Sequence, residues 1–130
     1  MIEFSDFSFQ YKSQTSATLH NINLKIRDGE KILIAGASGS GKSTIGLIPH
    51  SLGGIIEGSL KINGVETKES DIYEISKNVG TVLQDTDGQF VGLTVGEDIA
   101  FSLENQCIGK DRMHQTVRDV ASLVSMQNFL

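Results

Sequence analysis

Apolar and polar residues take turns along the first 26 positions of the chain. In "IEFSDFSFQY" they alternate through Phe7, Phe9 and Tyr11, and in "LHNINLKI" through Leu19, Ile22, Leu24 and Ile26. That two-residue period is the mark of a half-buried strand. The polar stretch "KSQTSAT" separates the two runs and "RDGE" follows as a turn, so the pattern predicts an antiparallel hairpin. "KILIAG" is a short continuous apolar run, which suits a strand buried on both faces of a parallel sheet. "GSLKINGVET" predicts a second hairpin, because Asn63 and Gly64 both tolerate positive φ. "NVGTVLQD" reads as another apolar strand that ends in polar residues.

The period then changes to that of a helix. In "TVGEDIAFSLEN", Thr94 and Glu97 form a capping box, and Ile99, Ala100 and Leu103 fall on one helical face. "KDRMHQTVRDVASLVSM" carries Met113, Val117, Val120, Ala121 and Val124 at helical spacing. No internal repeat, low-complexity tract or linker interrupts the pattern. The expectation is one α/β unit with a small antiparallel β layer, whose 130 residues stop within helical structure.

Composition narrows the classes. With 14 glycines and one proline, the chain suits tight turns in a folded domain rather than a disordered linker. A net charge of -5 speaks against a duplex nucleic-acid binder, which needs a basic face to neutralise phosphates. Cys107 is alone, so neither an internal disulfide nor a cysteine-only metal site is open to it, which fits a reducing compartment. No apolar run nears the ~18 to 20 residues that span a bilayer, and "MIEFSDFSF" has no basic stretch ahead of an apolar one. The expectation is a cytoplasmic chain without direct membrane insertion, working at a membrane only through a partner.

The most specific chemistry lies in "LIAGASGSGKSTIGLIPH". Gly36, Ala37, Ser38, Gly39, Ser40, Gly41, Lys42, Ser43 and Thr44 match G-x-x-x-x-G-K-[ST] without exception. Glycines at 36, 39 and 41 let the backbone turn sharply and aim its N–H groups at phosphate oxygens. Lys42 can reach the β- and γ-phosphates, and the Ser43 hydroxyl can hold Mg²⁺. The motif follows an apolar run and opens a helix, as it must. That helix is clipped, since Gly46 and Pro49 interrupt it almost at once. From Lys42 to Ile48 it would be about 10 Å long.

Three further features surround this loop. Tyr11 stands 25 residues before Gly36, where an aromatic ring could stack on a base; Gln84 follows Lys42 by 42 residues; and "DTDGQFVGLTVGEDIAFSLEN" comes next. Together with "LHNINLKIRDGEKILIAGASGSGKST", they resemble the first part of an ABC-transporter ATPase over nearly the whole chain. The likeness is closest to the ATPases of energy-coupling-factor importers for cobalt, nickel and vitamins, and "VLQDTDGQFVGLTVGEDIAFSLEN" is most similar to the first half of members with two ATPase halves in one chain. That resemblance implies an α/β P-loop NTPase fold of ABC type, a core sheet with an N-terminal antiparallel β layer, of which residues 1–130 are an incomplete, N-terminal part. It implies ATP and Mg²⁺ as cofactors. Tyr11 would be the base-stacking residue of the A-loop and residues 36–44 the Walker A motif. Gln84 would be the Q-loop glutamine that touches Mg²⁺ and the attacking water, with Gln89 and Phe90 near the membrane subunit. The implied partners are the transmembrane subunit of an importer and a second ATPase half, at the inner face of the cell membrane.

This chain departs from the family's pattern in two ways. Members usually continue the helix after Lys-Ser-Thr well beyond the point where "GLIPH" begins here, so a short piece of it is missing. Other parts of the family's machinery are also not in these residues. No LSGGQ signature, Walker B strand or later switch histidine occurs; "TVLQD" places polar Gln84 ahead of Asp85 and does not imitate Walker B. His20, His50 and His114 are scattered, and Asp85, Asp87, Glu97 and Asp98 read as solvated loop and helix-start charges. Since phosphoryl transfer depends on positioning and charge stabilisation, each missing part should lower turnover. Two readings therefore stand: the ATP-binding part of a transport ATPase, or a truncated, non-hydrolytic nucleotide-binding protein that associates with transporter subunits. A P-loop kinase or switch GTPase would carry an arginine-bearing lid or an NKxD motif, and neither is present. A soluble ABC protein of DNA repair or translation fits less well than a transporter, given the run after Gln84.

Overall fold

The computed structural model describes residues 1–46, 52–85 and 87–130, and its contacts gather in two units, Met1–Thr81 and Val82–Leu130. The first unit is built on a sheet of four strands: β1 (Ile2–Tyr11), β2 (Leu19–Ile26), β3 (Gly54–Ile62) and β4 (Val65–Glu66). They lie in the order β2-β1-β3-β4 with every pairing antiparallel. Both predicted hairpins form. Asn63 and Gly64 take φ of 51° and 82° at the β3–β4 turn, the left-handed values that this tight turn requires.

β1 is one of the two interior strands, paired on both edges, and it carries most of the core. Phe4, Phe7 and Phe9 are buried with Leu19 and Leu60, and Phe4 meets Phe7 edge-on with ring centroids 5.3 Å apart. Phe4 and Phe7 are three positions apart, which a regular strand would send to opposite faces. A bulge reconciles them. Asp6 adopts φ 46°, and the register with both neighbours shifts between Phe4 or Ser5 and the residues after Asp6. Gly58, at φ 72°, lies against this bulge so closely that a Cβ there would sit 2.2 Å from the Asp6 carbonyl oxygen. The Asn23 amide braces the bulge from β2, accepting from Asp6 N at 2.9 Å and donating to Asp6 Oδ1 at 3.0 Å. On β4, burial alone would raise the Glu66 carboxyl, but hydrogen bonds from the Ser59 hydroxyl and the Leu60 and Lys68 amides hold it below its ordinary value.

Two short helices complete this unit: α1 (Lys42–Gly46) and α2 (Ile72–Ser76), the latter capped by the Asp71 side chain, which accepts from Glu74 N at 2.8 Å. The clipped helix thus has five described residues; Leu47, Ile48, Pro49 and His50 lie outside the described residues.

The two apolar runs predicted as strands, the first of them as one buried on both faces of a parallel sheet, are not strands. Residues 31–36 and 79–85 take no place in the sheet, and Leu33 and Val82 are 90% and 84% exposed. A strand buried on both faces needs hydrogen-bonding neighbours on its edges and cover above and below. No described strand is hydrogen-bonded to either run.

In the second unit, α3 (Val95–Asn105) begins with the predicted capping box: the Thr94 hydroxyl accepts from Glu97 N while the Glu97 carboxylate accepts from Thr94 N. It packs against α4 (Lys110–Leu123). Val117 and Ala121 are buried and Met113 half-buried, the i, i+4 seam expected of a packed helix. Val120 and Val124, also placed at helical spacing, are exposed, and Val124 stands just past the last helical residue. No helix among the described residues is long and apolar enough to cross a membrane.

Candidate functional site

The glycine-rich loop of residues 36–44 runs as exposed backbone from Gly36 to Ser40 and then closes into α1. Gly39 and Gly41 adopt φ of 79° and 87°, which a side chain would strain. Gly41 also approaches β2 closely, since a Cβ there would lie 3.0 Å from Leu19 Cδ2 and 3.3 Å from the Thr18 carbonyl oxygen. The first helical bond, Ile45 N to Gly41 O, is 3.0 Å, and a turn bond from Ser40 N to Ala37 O is 3.3 Å. Lys42 folds its ammonium across the loop, donating to Gly36 O at 2.9 Å and Ala37 O at 2.6 Å. A cation is thereby held at the loop's centre, and Ser43 follows it directly at the start of α1.

Two features adjoin the loop. The polar β1–β2 connection (residues 13–18) and Gly39–Ser40 of the loop flank a cleft of about 470 Å³, lined almost wholly by hydroxyl, amide and backbone groups. Tyr11 is the other, at the end of β1. Its ring stands edge-on to Phe9, centroids 4.8 Å apart at 86°, and its hydroxyl is hydrogen-bonded to Thr44 Oγ1 at 3.0 Å. Thr44 is 4% exposed, so its hydroxyl needs this partner. The structure brings Tyr11 to the loop through its hydroxyl, and the bond to Thr44 was not visible in the sequence, because it joins residues 33 apart.

Gln84 belongs to the second unit, on an exposed, non-helical stretch. Its surroundings are ordered by Gln89, which the sequence assigned to a contact surface. The Gln89 side chain accepts from Leu83 N at 3.1 Å and donates to Leu83 O at 3.3 Å and Asp85 O at 2.8 Å. One amide thus grips the backbone on both sides of Gln84. A Gln within the turn-rich "DTDGQ" is a signal for such local side chain–backbone bonding. Gln89→Ala is expected to speed amide exchange at Leu83 by roughly tenfold, with α3 and α4 unchanged. Hydrogen–deuterium exchange resolved to single residues checks this; unaltered protection at Leu83 would mean the grip is not made in solution. Phe90 is 68% exposed.

The acidic residues nearby are backbone acceptors. Asp98 Oδ1 accepts from Val91 N at 2.9 Å and Gly92 N at 3.2 Å, Glu97 serves the α3 cap, and Asp85 Oδ1 accepts from Gly88 N at 3.3 Å. Among the described residues no group of three or more His, Cys, Asp or Glu could hold a metal ion. His20 and His114 lie exposed on the surface, and His50 is outside the described residues.

Comparison with known proteins places this geometry in a family. The model of the ABC transporter family matches residues 19–130. A putative ABC transporter ATP-binding protein of Clostridium perfringens is 56% identical over 135 residues, covering 100% of this chain and 24% of the relative. A second, from Photobacterium profundum, is 55% identical over 99% of this chain and 24% of its own length. This chain therefore spans about a quarter of the length of the curated relatives it matches. Among solved structures, a dimeric ATP-binding cassette in a post-hydrolysis state, bound to ADP and Pi, superimposes with a TM-score of 0.74 at 26% identity, covering 96% of this chain and 57% of that one. The fold is thus α/β of the ABC ATPase kind, with the antiparallel sheet formed and the two apolar runs unpaired. By family match, identity and fold together, this chain belongs to the ABC transporter family.

Proposed function

We propose that this chain is the ATP-binding part of an ABC import ATPase that couples ATP hydrolysis to uptake of a metal ion or vitamin. The observation that carries the reading is the loop of residues 36–44, whose Lys42 ammonium is held centrally between Gly36 O and Ala37 O. Phosphate oxygens are stronger acceptors for that ammonium than peptide carbonyls, so a triphosphate in the loop takes Lys42 over. The loop amides and Lys42 hold the β- and γ-phosphates. The cleft beside residues 13–18 is polar enough for a sugar, and the Tyr11 ring lies next to the base. The solved ATP-binding cassette that this chain resembles holds ADP and Pi, which supports the same ligand class here.

Ser43 and Gln84 offer neutral oxygen donors. Such donors fit Mg²⁺, which keeps several waters and takes its charge balance from phosphates rather than from a protein cage. When bound, the ion neutralises charge on the phosphates; this chain's share is to orient it through the Ser43 hydroxyl. The import direction and the energy-coupling-factor subtype rest on the run from Gln84 to Asn105, with a transmembrane subunit and a second ATPase half as partners. The dimer of the solved relative favours the second half.

Neither the signature nor the Walker B sequence occurs in the 130 residues, so the non-hydrolytic alternative is tested on these residues by themselves. The purified chain is expected to bind ATP·Mg and to release phosphate at no more than background rate. Titration calorimetry and a steady-state phosphate assay check both halves. No ATP binding at millimolar nucleotide would sink the nucleotide reading, and turnover well above background would show that the absent groups are dispensable.

A further inference from the structure

The geometry points to Tyr11 as a positioning residue for the phosphate loop, acting through its hydroxyl on Thr44 independently of any contact its ring makes with a base. This rests on the reading of residues 36–44 as a triphosphate site.

The bond runs from a strand paired on both edges to a helix of five described residues. β1 is paired on both edges, and Tyr11 itself is registered opposite Gly54 of β3. Gly54 has no room for a side chain: a Cβ there would lie 2.4 Å from both Phe9 Cε2 and the Gln10 carbonyl oxygen. The strand end is therefore packed tightly, and Phe9 fixes the Tyr11 ring edge-on. The hydroxyl of a ring so held has little freedom left, and the 3.0 Å bond to Thr44 Oγ1 transfers that rigidity to α1. α1 needs it. The helix has five described residues, and within it only Thr44 is buried. The loop from Gly36 to Ser40 is exposed throughout. Gly41 approaches β2 closely and Ile45 packs on the core of the sheet, and the Tyr11–Thr44 bond adds, among the described residues, a directional hydrogen bond between the loop's exit and the sheet. A loop whose amides must converge on phosphate oxygens binds more tightly when its shape is set beforehand.

The consequence separates ring from hydroxyl. Tyr11→Phe retains the ring, its edge contact with Phe9 and any stacking on a base, and removes only the bond to Thr44. A base-stacking residue alone would tolerate it. The experiment measures Kd for ATP·Mg and for inorganic tripolyphosphate·Mg, a probe with phosphates and no base, by titration calorimetry on the full chain. If the hydroxyl sets the loop, Tyr11→Phe weakens both ligands by the same factor, roughly 3- to 10-fold, the range of one net hydrogen bond. Thr44→Val also weakens both, and adding Tyr11→Phe to it costs less than about twofold further, because the two side chains act as one unit. Loss confined to ATP, or no loss for either ligand, overturns the inference while leaving the nucleotide site intact. Full additivity of the two substitutions overturns it as well. Urea unfolding of each variant separates binding from folding: a lowered midpoint with unchanged affinities marks a merely structural contact and also overturns it. A wild-type chain that binds neither probe removes the nucleotide reading itself, and this inference with it.

Discussion

Replacing Lys42 with alanine is expected to abolish ATP binding, by at least about 100-fold in Kd. The side chain makes two bonds to loop carbonyls, Gly36 O and Ala37 O, and its ammonium is the positive charge at the centre of the exposed loop. Each charge-assisted hydrogen bond to a phosphate contributes about 1.5 to 3 kcal/mol, so loss of two brings the change to that size or beyond. Alanine removes the charge and also the stitch between the two ends of the loop, whereas the sheet beneath keeps its packing. Circular dichroism and the urea midpoint should therefore stay close to wild type while calorimetric heats vanish. Lys42→Arg is no rescue, since a planar guanidinium does not reproduce a point charge in so small a loop. Retained affinity in Lys42→Ala would mean that any observed ATP binding occurs elsewhere on the chain.

The second large effect is expected from Phe9→Ala, on stability rather than on charge. Phe9 is fully buried, meets Tyr11 edge-on and lays its ring against Gly54, which has no side chain of its own. Truncating a buried phenylalanine costs about 3 to 5 kcal/mol. A domain of this size has a total of only about 5 to 15 kcal/mol to lose. The urea midpoint should fall by more than about 1 M, given slopes of about 1 to 3 kcal/mol per M. Phe7→Ala is the informative companion. Phe7 is equally buried but meets Phe4 rather than Tyr11. Both variants should lose similar stability, and only Phe9→Ala should also weaken nucleotide binding per folded molecule, because Tyr11 loses its seat. Equal midpoints for Phe9→Ala and wild type would show that the phenylalanine cluster is not the core of this unit in solution.

What the sequence disclosed, and what it hid, follows from the range of each interaction. The hairpins, the Asn63–Gly64 turn and the Thr94–Glu97 capping box are local and were legible, because their hydrogen bonds join residues near one another in the chain. The bulge at Asp6 was half legible: a glycine inside a strand, Gly58, is its ordinary signal, but the odd spacing of Phe4 and Phe7 makes sense only once the two strands are opposed. The runs at 31–36 and 79–85 were misread because apolar continuity reports what a segment needs, and not whether a neighbour is there to meet the need. The candidate site divides likewise. The loop motif is contiguous and was plain, whereas the Tyr11–Thr44 bond and the grip of Gln89 on the backbone around Gln84 depend on folding.

The unpaired run at 31–36 bears on how the chain behaves in company with copies of itself. Ile32, Leu33 and Ile34 stand exposed in sequence, with β-branched residues on either side of a leucine and unpaired backbone alongside. Such a stretch is a template for intermolecular strand pairing, and its attraction rises with concentration. The net charge of -5 opposes that association through mutual repulsion, which salt screens. Colloidal stability of this chain is thus a contest between its exposed apolar stretches, this strip and the run at 79–85 among them, and a modest like charge, tipped toward clustering by high protein concentration and high ionic strength alike.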